Sequence, residues 1–187
     1  TSRDPDMAPD EYIEVSGGIF RDMTIHDFDM ARFIMGEEFE TVSAVGARLV
    51  SPTLMERCRD FDTVTVTLTT ASGKQCVISN SRRAVYGYDQ RVEAFGTEGM
   101  AISENHPENN TRLFAASHTD SKAPLLNFFI ERYAQAFASE IDAFVDAVEH
   151  SEPPAVGFDD GYKALLLAEA AILSVREGRP INLSELE

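Results

Sequence analysis

The chain has 187 residues, of which 43% are hydrophobic, enough to bury one sizeable core. Its 32 acidic residues against 16 basic ones give a formal net charge of -16, which argues against nucleic acid and anionic membrane surfaces as partners. Charged residues, prolines or glycines interrupt every apolar run well before it reaches membrane-spanning length. A neutral or cationic small molecule suits this composition better than a polyanion does.

The two cysteines, Cys58 and Cys76, lack CxxC spacing and have no histidine cluster nearby. Such scattered cysteines favour reduced thiols in a cytoplasmic protein, with one disulfide as the alternative. The chain starts at Thr1 rather than Met and shows no secretory leader pattern. We therefore expect it to be a processed product or an excised piece of a longer protein.

The first third predicts a short strand, a glycine turn and a helix. Residues 11–15 are apolar enough for a strand that leads into the glycine pair Gly17-Gly18. Apolar residues close to helical spacing predict a helix over residues 21–35 that stops at Gly36. A further strand is expected over residues 42–50.

The middle of the chain predicts paired strands. Residues 61–70 alternate, with Val64, Val66 and Leu68 on one face and threonines on the other. A turn at residues 71–74 predicts a hairpin with a strand over residues 75–80. Additional strands are expected over residues 91–95, 100–103 and 113–117.

The last third is helical by its hydrophobic periodicity. An apolar stripe runs from Leu126 to Val148 and is broken at Pro153-Pro154. A second helix is expected from near Asp159 to a stop at Gly178. Both apolar stripes are expected to be core. The fold class is therefore α+β, an open and mostly antiparallel sheet with helices on one face, in a single domain over residues 1–187.

The strongest candidate for chemistry is the pair Asp22 and His26. Residues four apart lie on one helical face, so the carboxylate and the imidazole can act on the same small volume. Histidine exchanges protons near neutral pH, and a neighbouring acid can fix its ring. Asp29 follows three residues later and can reach a polyhydroxylated ligand. The alternatives are that Asp22 only caps the helix, or that Asp22, His26 and Asp29 bind a metal ion.

The polar segment at residues 79–91 joins two predicted strands and is a candidate binding loop. Tyr86 and Tyr88 can both hydrogen-bond to hydroxyl groups. The alternative is an ordinary solvated connection in which one tyrosine packs on the sheet. No GxGxxG, P-loop, HExxH or GxSxG motif occurs in the sequence.

These segments resemble the C-terminal domain of the glucose–fructose oxidoreductase / inositol dehydrogenase family. The resemblance spans essentially the whole chain, and the Asp-x-x-x-His segment is specific to the family, while the Arg-Arg loop narrows it to the inositol branch. The matching segments are TSRDP at residues 1–5, GGIFRDMTIHDFD at 17–29, NSRRAVYGYDQRVE at 80–93, GFDDGYKAL at 157–165 and AEA at 168–170.

The resemblance implies a two-domain enzyme whose N-terminal half is a Rossmann fold that binds NAD and supplies a catalytic lysine from a Glu-Lys-Pro motif. Neither feature is present in this sequence. The resemblance thus assigns residues 1–187 to the substrate-side and oligomerisation domain. It implies homo-oligomers, dimers or tetramers, that assemble through the sheet.

Carried over by the same resemblance, His26 is the general base that takes the proton of an inositol ring hydroxyl as hydride leaves for NAD. Asp22 is the second catalytic residue and orients the substrate or the histidine. Asp29 and Tyr86 contact other ring hydroxyls of a polyol, with myo-inositol as the expected substrate, and the fragment alone is expected to be inactive. The alternatives are a non-catalytic oligomerisation module and the domain of a related sugar oxidoreductase.

Overall fold

A computed structural model describes residues 3–186, so the first two residues of the N-terminal family match and Glu187 lie outside it. The described chain divides into two compact units. The first unit comprises the segment up to Met7 together with Arg83–Glu152, and the second comprises Ala8–Arg82 together with the chain from Pro153 onward. Each unit has its own sheet pairing and its own helices.

The second unit begins with helical segments, which are followed by the strands of a four-stranded sheet. Its elements are α1 (Asp10–Val15), a π-helical segment (Phe20–Thr24), α2 (Ile25–Met35), β1 (Phe39–Ala47), α3 (Pro52–Cys58), β2 (Thr63–Thr70), β3 (Gln75–Ser81), α6 (Phe158–Glu177), β8 (Ile181–Asn182) and a 3₁₀ turn (Leu183–Glu185). The first unit contains β4 (Val92–Gly96), β5 (Gly99–Ser103), β6 (Arg112–Ala115), β7 (His118–Lys122), α4 (Phe129–Arg132) and α5 (Ala134–His150). Within residues 3–186, no helix combines the length and the apolar character that crossing a membrane demands.

The sheet of the second unit has the strand order β3-β2-β1-β8, and its neighbours pair antiparallel. Val66 on β2 lies opposite Ala44 on β1 and Ile78 on β3. The predicted alternation of β2 is confirmed, because Val64, Val66 and Leu68 are buried whereas the threonines between them are not. One face of this sheet is therefore core and the other is open.

Helix α6 covers the buried face of the sheet and packs against β1, and α2 packs against α6. The buried Ser174 joins helix and sheet: its hydroxyl accepts the N–H of Ala44 at 2.9 Å and donates to the carbonyl of Arg179 at 2.7 Å. The helix ends at Gly178 in the left-handed conformation, as predicted. The α+β class with an open antiparallel sheet is confirmed.

Residues 11–15 are helical, so the predicted strand there is wrong. The carbonyl of Pro9 accepts the N–H groups of Tyr12 and Ile13 and opens α1, whose first turn carries two acidic residues. Proline pre-sets the backbone and acidic side chains favour a helix N-terminus, which outweighs the strand propensity of this short segment. Helix α3 was not predicted; it begins with Pro52, a residue that suits the first position of a helix.

The helical stripe of α5 is exposed, so its assignment to the core is wrong for the described chain. No residue of α5 is buried, and Ile141 is 62% exposed. Hydrophobic periodicity identifies an amphipathic helix but not the surface that covers its apolar face. In contrast, most of the predicted stripe of α6 is core: Leu166 is buried and Ile172 and Val175 are partly buried, although Leu165 is 40% exposed.

The glycine pair shapes the approach to α2. Gly17 and Gly18 have φ values of 86° and 93°, a region that side chains rarely adopt. Asp60, which follows α3, accepts the N–H of Ile19 at 3.0 Å. A Cβ on Gly18 would lie 3.0 Å from the Oδ1 atom of this carboxylate. The turn is therefore restricted both by backbone conformation and by the close approach of Asp60.

We expect Gly18→Ala to lower the free energy of unfolding by about 1–3 kcal/mol, because the substitution strains the backbone and crowds Asp60. Gly36→Ala is the matched control, since Gly36 also has a positive φ, 59°, but open space where the Cβ would lie. Urea denaturation of both variants measures the difference. Equal losses would show that the contact with Asp60 is not restrictive.

Candidate functional site

Asp22 lies inside the π-helical segment that precedes α2. The N-cap positions of the two segments are Ile19 and Thr24, and neither end has a side-chain cap. The alternative that Asp22 only caps the helix is therefore wrong. A π-helical turn within an α-helix is rare and is found disproportionately at functional sites.

Both oxygens of the Asp22 carboxylate accept hydrogen bonds. Oδ1 accepts the phenolic O–H of Tyr12 at 2.6 Å, and Oδ2 accepts the Nη1–H of Arg82 at 2.8 Å. The second amino group of Arg82 donates to Asp60 at 3.2 Å. The side chains of Arg82 and Asp22 are only 4% and 13% exposed, so water screens this ion pair poorly.

Sequence reasoning missed Tyr12 and Arg82 as partners of Asp22. Tyr12 lies in the segment predicted as a strand. Arg82 was identified only as part of the Arg-Arg loop that carries the family resemblance. The one sequence signal that could have indicated Arg82 is its position among polar residues directly after a strand, β3. No rule of spacing links it to a carboxylate 60 residues earlier.

His26 follows Asp22 by four residues, just inside α2, and it is exposed. The helix is anchored immediately beside it, because Asp27 and Phe28 are buried. The Oδ2 atom of Asp27 accepts the Nδ2–H of Asn80 on β3 at 2.9 Å. An exposed imidazole on an anchored helix is suited to exchange a proton with a ligand.

The buried carboxylate of Asp27 also acts on its neighbour Cys76. Both cysteines are free thiols. Burial raises the pKa of the Cys76 thiol above its ordinary value, and the charge of Asp27 raises it further.

Asp29 lies one turn after His26 and pairs with a different arginine. Its Oδ1 accepts the Nη1–H of Arg32 at 3.2 Å, and the side chain is 49% exposed. Arg32 also binds Glu38 and Asp160. Hydrogen bonds from Arg32 outweigh burial and lower the pKa of Glu38 to about 2. Asp29 thus keeps an accessible carboxylate oxygen beside a fixed cation.

The metal alternative finds no support in the described residues. Among residues 3–186, no three His, Cys, Asp or Glu side chains form a group that could hold a metal ion. Asp22 and Asp29 instead bind Arg82 and Arg32, respectively.

Tyr86 belongs to the first unit, where its ring is 54% exposed. Its O–H donates to the buried Asp89 at 2.6 Å. Burial opposes ionisation of Asp89, but hydrogen bonds from Arg91, Tyr86 and Asn105 outweigh it and hold the pKa of that carboxyl well below its usual range. Tyr88 is the packed tyrosine of the loop, because it is buried with its ring edge-on to Tyr133 at 5.7 Å.

The chain matches known proteins over nearly its whole length. The model of an oxidoreductase family, C-terminal alpha/beta domain, matches residues 3–183. Inositol 2-dehydrogenase from Rhizobium meliloti is 49% identical over 184 residues, which cover 98% of this chain and 55% of that protein. Myo-inositol 2-dehydrogenase from Thermotoga maritima is 50% identical over 186 residues, covering 100% and 55%. The chain thus spans about half the length of these relatives.

Solved structures share the fold. A probable dehydrogenase from Thermotoga maritima superimposes with a TM-score of 0.95 at 49% identity, covering 100% of this chain and 55% of that one. The scyllo-inositol dehydrogenase of Lactobacillus casei, solved with NAD(H) and scyllo-inositol, superimposes with a TM-score of 0.82 at 26% identity, covering 90% and 49%. The chain therefore belongs to the glucose–fructose oxidoreductase / inositol dehydrogenase family and corresponds to its C-terminal alpha/beta domain.

Proposed function

We propose that this chain is the substrate-side domain of an NAD-dependent inositol 2-dehydrogenase, which oxidises a ring hydroxyl to a ketone by hydride transfer to NAD. The observation that carries the proposal is the exposed His26 four residues after Asp22, whose carboxylate is held by Arg82. The inositol dehydrogenases that match this chain over about half their length support inositol as the proposed substrate class.

In this proposal, neutral His26 accepts the proton of the reacting hydroxyl. The O–H electrons form the carbonyl bond as the carbon loses hydride, so one proton and one hydride leave the alcohol. NAD, when bound, supplies the hydride acceptor. Asp22, four residues earlier in the adjoining π-helical segment, is proposed to orient the substrate or the imidazole.

The other proposed contacts follow from unused acceptor capacity. An ionised carboxylate has about four lone-pair sites, so Asp22 retains acceptor sites after binding Tyr12 and Arg82. Tyr86, whose O–H donates to Asp89, is proposed to contact a substrate hydroxyl with its exposed phenol group. Asp29 is half exposed and offers a further acceptor. Polar groups of these kinds suit a polyol, with myo-inositol as the proposed substrate.

The N-terminus of the longest described helix is poorly suited to the pyrophosphate of NAD. A helix N-terminus binds such an anion through free N–H groups with no competing carboxylate. The N-terminus of α6, the longest helix described, carries Asp159 and Asp160, and Asp160 already accepts the N–H of Gly157 at 2.8 Å. This supports the proposal that NAD is held mainly by a domain outside this chain.

His26→Ala in the full-length dehydrogenase should lower kcat for inositol by about 10²–10⁴-fold, since general-base catalysis is lost. The Kd for NAD should change little. His118→Ala is the control, because His118 is exposed on β7 and contacts Ser117. Steady-state kinetics and NAD titration measure both effects. Turnover within a few-fold of the parent would exclude His26 as the base.

The isolated chain should neither bind NAD nor oxidise inositol, because the proposed cofactor domain and its lysine are not part of it. Calorimetric titration of the isolated chain with NAD tests this expectation, with the full-length enzyme as the positive control. A micromolar Kd for the isolated chain would contradict it.

We also propose that the domain assembles through the open face of its sheet, in a cytoplasmic homo-oligomer. Val45 on β1 and Val77 on β3 are both 67% exposed on this face, where they lie opposite Thr65 and Thr67 of β2, respectively. Free thiols at both cysteines support a reducing compartment. This face also favours the alternative function, a non-catalytic oligomerisation module.

Val77→Glu should shift the full-length protein towards monomer in sedimentation velocity, because it places a charge in the proposed sheet-to-sheet contact. Val156→Glu is the matched control, since Val156 is also 67% exposed but lies before α6. A parent that sediments as a monomer, or equal behaviour of both variants, would exclude this interface. Assembly without any inositol turnover would favour the module.

A further inference from the structure

Arg82 lies where three segments of the second unit meet. It directly follows β3, and its backbone N–H donates to the carbonyl of Asp62 at 2.8 Å. Its Nη1 and Nη2 atoms contact carboxylates from two other segments, Asp22 at 2.8 Å and Asp60 at 3.2 Å. The guanidinium is almost completely buried between them.

Asp60 is a fixed anchor for this arrangement. Its side chain accepts the N–H of Ile19, and its own backbone N–H donates to the carbonyl of Met55 at 2.9 Å. Its carbonyl accepts the Nε–H of Arg48 at 2.9 Å. Every polar group of Asp60 is therefore bound to backbone or to an arginine. The Asp60 carboxylate that binds Arg82 is thus held in a fixed position.

The geometry of Arg82 is set by the two carboxylates. Its Nε is buried and has no hydrogen-bond partner among the described residues. An unsatisfied buried donor is unfavourable. The side chain nevertheless keeps the position in which Nη1 and Nη2 bind both acids, and this leaves Nε without a partner in the described chain. A planar fork with two separate amino groups suits two carboxylates on different segments, whereas the single ammonium group of a lysine would bind them with a different geometry.

We infer that Arg82 is a positioning residue for the proposed inositol oxidation: it ties the carboxylate of Asp22 to the anchored Asp60 and so holds Asp22, four residues before His26, in one orientation. Tyr12 fixes the second oxygen of the same carboxylate. The remaining acceptor sites of Asp22 are then presented in one direction. This inference rests on the proposed function.

The test uses the full-length dehydrogenase with the variants Arg82→Met, Arg82→Lys, Asp22→Asn and the double variant Arg82→Met/Asp22→Asn. Loss of orientation at a reacting group costs about 10²-fold, so Arg82→Met should lower kcat for myo-inositol by about that factor. Arg82→Lys should recover part of the loss. In the Asp22→Asn background, Arg82→Met should have little further effect, because the group that it positions is already lost.

Arg179→Met is the matched control, because Arg179 also joins two carboxylates, Glu177 and Glu185, each at 2.7 Å. It should leave kcat within about two-fold, as expected of an exposed ion pair. The inference is overturned if Arg82→Met leaves kcat within two-fold, or if its loss multiplies with that of Asp22→Asn. If Arg82→Met does not fold, the same comparison of single and double variants is made with Arg82→Lys in its place. A parent that oxidises no inositol refutes the proposed function instead, and this is seen before any substitution is made.

Discussion

The buried contact between one guanidinium and two carboxylates joins three segments of the second unit at the candidate site. Asp60 stabilises the glycine turn through the N–H of Ile19 and binds Arg82 at the end of β3. Arg82 in turn binds Asp22 in the π-helical segment. Removing the buried guanidinium alone would leave two carboxylates without their counterion, which is strongly destabilising. The start of the candidate catalytic helix is thereby fixed to both the sheet and α3.

Around this contact, the core provides a rigid support with little chemistry of its own. Helix α6 packs against β1, and the hydroxyl of Ser174 satisfies backbone groups from both sides. Helix α2 lies on α6 and is tied to β3 through Asp27 and Asn80. The side chains that remain exposed on α2, His26 among them, are held by a helix that is anchored on its other face.

Elements governed by local pattern were predictable from the sequence. The alternation of β2, the hairpin to β3 and the stop of α2 at Gly36 each follow from short-range rules and are confirmed. Features that depend on partners distant in sequence were not predictable. The contact of Asp22 with Arg82 joins residues 60 apart, and the exposure of α5 depends on which surface covers it. The pair Asp22 and His26 was found because both residues lie within one short segment that carries the family motif. The roles assigned to them stay predictions.

The tie between Asp27 and Asn80 has a consequence for the neighbouring sulfur atom. Electrophiles and peroxides attack a cysteine through its thiolate, and the anionic Asp27 together with burial disfavours that form at Cys76. The carboxylate that anchors α2 therefore also protects the strand beneath it from alkylation and sulfenic acid formation. Mechanical support and low thiol reactivity at this position both follow from burial and from the charge of Asp27.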